Sequence, residues 1–351
     1  MEKIKQNDAF DVLKATMAIM IMVIHIVALN RLGILGTYIF PILRIAVPIF
    51  FLISSYLFFK KIKLIGRYGE QKKYLNKTVN RNLMLYLSWF ILLSPITFYI
   101  RNYFSHGVLY GVITILWNFV FGSTFIASWY ISALVIGLTI VFYASHFFSE
   151  KAIFWCSVIC FFFCVLISNY GELGLVQNLV WKKLRLFPIL WTPHNSFPAG
   201  LFWIVAGKRF AEKDDFFWFG KGKQKYILLF SLLALYFEQG LINFLHSSFT
   251  NDFYFMLMPT CLAIFAWVLH VVNIDVKNAK TLRAFSTITY CLHASFAKIP
   301  ALVLLYLGLS KSTFAMSLVK FVITLIFCVI ITKIILNLEK CRGWKWLKYL
   351  H

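Results

Sequence analysis

Two ionisable side chains on one apolar segment set the chemical question. Phe10-Asp11-Val12-Leu13-Lys14 leads into Ala15 to Ile24, almost wholly apolar, and then His25. In an α-helix the step from residue 14 to residue 25 is a rise of about 16 Å and three turns plus about 20°. Lys14 and His25 therefore share one face, with the cation near one membrane surface and the imidazole deep inside. An ionisable group in the membrane interior is rare and unfavourable, so it marks a functional site by default. A neutral imidazole there can take a proton from a hydroxyl, and an ammonium at the edge can hold an anion.

A second polar group follows. Arg44 in Leu43-Arg44-Ile45-Ala46-Val47-Pro48 sits some turns inside an apolar run. A lone Arg there costs on the order of 3 kcal/mol on insertion scales. Pro48 removes a backbone donor and predicts a kink that makes room for a polar cavity. Other candidates are Glu238, mid-span and able to orient His25 or pair with Arg44, and His293, two turns into a late span. Trp129, Tyr290, His194 and Asn195 lie near span ends, where an acceptor could be touched. The remaining histidines fall near span ends or loops and need no chemical account.

The elements that position these groups must be membrane helices. Of 351 residues, 61% are hydrophobic and only 14% charged, against about 25% charged in soluble domains. Mean hydropathy is +0.78. Continuous apolar runs, without ten-residue alternation, predict an all-α polytopic protein and not a β-barrel. We expect about ten spans, near 10–30, 37–59, 83–101, 125–146, 152–169, 196–211, 226–245, 252–273, 286–307 and 313–337. Residues 107–122 read as a re-entrant or interfacial helix. With no cleavage-site pattern after it, the first span is expected to be retained. No linker or internal repeat divides the chain, so 1–351 reads as one membrane domain.

The net charge of +22 fits the positive-inside rule; without a polar basic domain it does not indicate nucleic-acid binding. The basic segment 60–82 should be cytoplasmic, and with ten spans both termini are too. Lys182, Lys183 and Arg185 are the exception, falling outside. Cys156, Cys160 and Cys164 recur every four residues on one helix face without a His or a second Cys pair. They read as packing residues, so neither a metal site nor a disulfide framework is expected.

Asp11-x-x-Lys14-x10-His25, followed by Arg44-Ile-Ala-Val-Pro-Ile-Phe-Phe-Leu-Ile-Ser54-Ser55-Tyr-Leu, resembles the acyltransferase 3 family of integral membrane acyltransferases. Weaker matches follow in order: Lys77-Thr-Val-Asn-Arg81, Ser128-Trp129-Tyr130, Phe197 to Gly207, and Ser286-Thr-Ile-Thr-Tyr290-Cys-Leu-His293. Lys14 stands where Arg is common, giving phosphate a point charge in place of a fork. Ser55 stands where Gly is usual, and Ser128 where Leu is.

The resemblance implies a multi-pass protein of the cell membrane that moves an acyl group, commonly acetyl, from cytoplasmic acyl-CoA to a hydroxyl of a cell-surface or lipid-linked glycan. In that reading His25 is the general base, and Arg44, with Glu238, supports the reacting centre. Lys14, Lys77, Arg81 and His293 hold acetyl-CoA, and Trp129, Tyr290 and Asn195 meet the acceptor. Membrane lipids surround the protein, and no metal is involved. The rival reading is an exporter of a glycan or small anion. Such proteins more often carry broken helices at matched positions of two halves, and the sequence has none.

Overall fold

A computed structural model describes residues 8–178, 192–213, 223–270, 272, 274–306 and 313–351. Lys182, Lys183 and Arg185 lie outside the described residues. Among those described there are helices and no strand, as the composition requires: in lipid, only a helix satisfies every backbone group within its own segment.

The helices are α1 (Asp8–Ile26), α2 (Ile34–Leu43), α3 (Ala46–Leu64), α4 (Tyr68–Arg101), α5 (Val108–Phe121), α6 (Trp129–Phe147), α7 (Glu150–Ser168), α8 (Phe197–Glu212), α9 (Gln224–Leu245), α10 (Leu257–His270), α11 (Ala279–Phe296), α12 (Lys298–Tyr306) and α13 (Phe314–Leu338). Each of the ten expected spans overlaps a helix. Seven of the helical stretches among the described residues are long and apolar enough to cross a membrane, α2 and α3 counting as one. The stretch 107–122 is the apolar helix α5, with its glycines at the ends and Gly111 tight against Phe104.

Two local expectations are corrected. The basic segment 60–82 is not a loop: α3 runs on to Leu64 and α4 begins at Tyr68. Lys and Arg are good helix formers, so charge ends the apolar span without ending the helix. The turn is held by Gln71, whose side-chain amide donates to the Ile65 carbonyl at 2.6 Å. The break expected at Pro48 comes earlier, at Arg44–Ile45. Pro48 falls in the first turn of α3, where its missing N–H costs nothing.

Small residues allow the central helices to approach closely. α8 lies against α3, α6 and α7. A Cβ at Gly207 would come within 2.0 Å of Ser55 Oγ, one at Gly200 within 2.7 Å of the Phe51 ring, and one at Gly137 of α6 within 2.4 Å of Ile204. Where the family usually has Gly, Ser55 is accommodated because the glycine is on the facing helix. Ser55 is fully buried, and its hydroxyl donates to Phe51 O at 2.7 Å.

α1 packs along α11. Near its start Asp11 takes two hydrogen bonds from Arg283, at 3.2 and 2.9 Å. Near its end the His25 and His293 rings lie 5.3 Å apart. Residue numbers rise along both helices between these contacts, so the two run side by side in the same direction.

Candidate active site

Two cavities flank this helix pair, one at each end. The larger, about 520 Å³, is lined by His25, Arg44, Arg101, Trp129, Asn195 and Asp252, among others. The smaller, about 100 Å³, is lined by Lys14, Arg81, Arg283, Ser54, Tyr130, Tyr290 and His351. The pair that share one face of α1 therefore address different cavities: His25 the larger, Lys14 the smaller.

In the large cavity Arg44 stands at the break between α2 and α3. Arg44 Nη2 lies 2.8 Å from Asp252 Oδ1, and His194 Nε2 lies 3.7 Å from Asp252 Oδ2. Burial alone would raise the Asp252 carboxyl. The Arg44 guanidinium outweighs it and holds the group below its ordinary value. Burial is also the main reason that His194 is held below its ordinary value. His25 is exposed to this cavity, which a base needs if a substrate hydroxyl is to reach it. Trp129 is half-buried at the N-terminus of α6, and Asn195 comes from the short helical turn ahead of α8.

The small cavity is cationic. Lys14 and Arg81 have no ion-pair partner among the described residues, whereas Arg283 is engaged by Asp11. Lys77 does not join them. It is exposed and one turn before Arg81 on α4, beyond the cavity. Among the described residues no cluster of His, Cys, Asp and Glu suited to a metal ion occurs.

Tyr290 ties the walls of the two cavities together. It lines the small one, while its hydroxyl donates to the carbonyl of Ala127, which lines the large one. Ala127 has φ +64°, a left-handed conformation that disfavours a Cβ, so this bond secures a strained turn just ahead of Trp129. Tyr130 adds a second brace, its hydroxyl 2.9 Å from Ser54 Oγ.

Glu238 is placed elsewhere. Its carboxylate accepts from the backbone N–H groups of Phe255 and Met256, each at 2.8 Å, and from the Tyr170 hydroxyl at 3.2 Å. It ties α9 to the start of α10 and does not reach Arg44 or His25. A carboxylate beside helix-initiating N–H groups is well matched to those unpaired donors.

Asp252, Arg283 and His351 were not foreseen. Asp252 and Asp11 belong to a set of only 13 acidic residues against 35 Lys and Arg. In so basic a chain, each acid beside a span end was a signal to look for its cation. His351, whose Nε2 lies 2.9 Å from Glu339 Oε2, gives no such signal from its position at residue 351.

An acyltransferase-domain family model matches residues 7–333. The chain is 25% identical over 275 residues to an amino-acid racemase of Enterococcus faecalis, covering 77% of this chain and 37% of that protein. A second amino-acid racemase of the same organism is 26% identical over 321 residues, covering 85% and 41%. The chain thus spans about two fifths of the length of these relatives. No solved structure matches significantly.

Proposed function

The chain belongs to the acyltransferase 3 family, and from that premise we propose that it moves an acyl group, acetyl foremost, from cytoplasmic acyl-CoA to a hydroxyl of a glycan or lipid-linked saccharide. The observation that carries this reading is the division of labour along α1. Lys14 stands in a cationic cavity and His25 in a larger polar one. Both termini are cytoplasmic in this reading, and the single membrane domain sits in the cell membrane.

The small cavity has room for a thin arm and not for a nucleotide. The nucleotide would rest at its mouth, near exposed Lys72 and Lys77, with Lys14 and Arg81 drawing phosphate inward. Lys77 keeps a donor role of this outer kind. The pantetheine arm would pass Tyr290 and Tyr130, which must give way, and bring the thioester carbonyl to His25.

In the large cavity, Trp129 and Asn195 would bracket the acceptor. His25 takes the proton of the acceptor hydroxyl as its oxygen bonds to the thioester carbonyl carbon. Arg44, steadied by Asp252, offers positive charge to the oxyanion that develops. The carbon–sulfur bond then breaks, the proton passes from His25 to the thiolate, and the products are the acyl ester and free CoA.

The exporter reading needs a passage wide enough for a whole glycan, whereas the small cavity, about 100 Å³, suits only a thin arm. The racemase name belongs to relatives more than twice this length.

The test is transfer of radiolabelled acetyl from acetyl-CoA to a panel of glycans by protein purified in lipid nanodiscs. Wild type should label an acceptor, and His25→Ala should lose about a hundredfold or more. Equal labelling by that variant would remove His25 from the reaction. Glycan flux into vesicles with no acetyl-CoA binding would favour export.

A further inference from the structure

His293 was expected to hold the acyl donor, but its surroundings assign it a different task. It is fully buried on α11. Its Nδ1 lies 2.8 Å from the carbonyl oxygen of Thr289, one turn earlier. A carbonyl only accepts, so Nδ1 carries the ring hydrogen and Nε2 is left with a lone pair. Nε2 is shut off from solvent and has no hydrogen-bond partner, a state that native structures rarely leave unused.

The nearest ring that could supply a hydrogen is His25. The centroids are 5.3 Å apart and the planes inclined at 43°. Two imidazoles joined in line by a hydrogen bond of about 3 Å have centroids about 5 Å apart. The separation is that of a bonded pair, which the rings reach by turning their nitrogens toward each other. Arg44 and Asp252 line the same cavity as His25 but are engaged with each other, and Lys14 faces the other cavity.

We propose that His293 is the positioning residue for His25: its Nε2 accepts the N–H of one His25 nitrogen, fixing the tautomer in which the other nitrogen presents its lone pair to the acceptor hydroxyl. This rests on His25 being the base. A neutral imidazole has two tautomers, and only one of them is basic toward the cavity. The Thr289 bond fixes His293, and His293 in turn fixes His25, the logic by which an orienting partner serves a catalytic histidine. The hydrogen between the two rings stays on His25, and only the proton taken from the acceptor hydroxyl is passed on to the thiolate.

Two measurements test it on full-length protein in nanodiscs. The first is the ¹⁵N chemical shifts of selectively labelled histidine, with His25 identified by its loss in His25→Gln. Wild type should show His25 as a single tautomer, His293→Ala a mixture, and His293→Gln, which keeps an acceptor near the Nε2 position, mostly one. The second is turnover of acetyl-CoA with water as acceptor, read as free thiol. His293→Ala should lower kcat about ten- to a hundredfold with KM for acetyl-CoA unchanged, and His293→Gln should recover most of it. An unaltered His25 tautomer in His293→Ala overturns the proposal, as does a raised KM with unchanged kcat, which would return His293 to donor binding. If His25→Gln turns over normally, the base assignment itself fails, whatever the tautomer result.

Discussion

Arg44 and Asp252 meet at 2.8 Å on the wall of the large cavity, one from the break between α2 and α3, the other from the segment before α10. Each side chain keeps about a fifth of its surface accessible, 20% and 17%, so the pair is neither a surface contact nor a sealed one. Removing one partner leaves the other charge poorly solvated. Asp252→Asn and Arg44→Gln should each lower the unfolding midpoint, and the double variant should lose less than their sum. A double-mutant cycle read by thermal unfolding in detergent should give a coupling of about 1–3 kcal/mol. Simple additivity would show that the pair contributes no specific stabilisation.

His194 gives this region a pH dependence. Its imidazole is buried and held below its ordinary value, so the folded protein keeps it neutral where the unfolded chain would protonate it. The stability it contributes is present above the unfolded value of about 6.5 and is lost as pH falls toward the folded one. The unfolding midpoint should therefore drop between pH 7 and pH 5, and His194→Gln should show a smaller drop. An equal drop in both proteins would assign the effect to other groups.

Lys14 and Arg81 should act on donor binding and not on the chemical step. Lys14→Ala and Arg81→Ala are each expected to raise KM for acetyl-CoA by roughly tenfold or more, from the loss of one charge-assisted bond, with kcat near wild type. Lys77→Ala, exposed beyond the cavity, should change KM by less. Initial rates across acetyl-CoA concentration separate these outcomes. A fall in kcat at constant KM would move Lys14 from the donor to the reacting centre.

Gly207→Ala should be among the most destabilising single-methyl additions in the chain. The new carbon would fall 2.0 Å from Ser55 Oγ and 2.8 Å from the Leu52 carbonyl. The hydroxyl can rotate away but the backbone cannot. Overpacking of this kind costs about 1–3 kcal/mol, measurable as lost detergent-solubilised yield and a lower midpoint. Adding Ser55→Gly to Gly207→Ala should recover part of the loss by removing the nearer atom.

The helical class and the positions of the main spans were legible because hydropathy reads lipid exposure directly. So was the polar surrounding of His25 and Arg44, since an ionisable group in an apolar run must face a polar space. What hydropathy could not read was helix beyond the membrane edge, and so α4 begins some fifteen residues before the predicted span. Nor does local spacing reveal long-range partners. Glu238 was free, on sequence alone, to meet any cation, but the N–H groups of Phe255 and Met256 were nearer. Arg283 and Asp11 are 272 residues apart, and no local pattern links them.

The placement of α8 bears on how the protein is made. Its sixteen residues are too few for a free-standing span, and it faces α3, α6 and α7 through glycine contacts and buried rings. All three of those helices precede it in the chain. A segment synthesised from its N-terminus would therefore offer α8 a finished socket as it emerges, and its modest apolarity would be enough because protein, and not lipid, receives it.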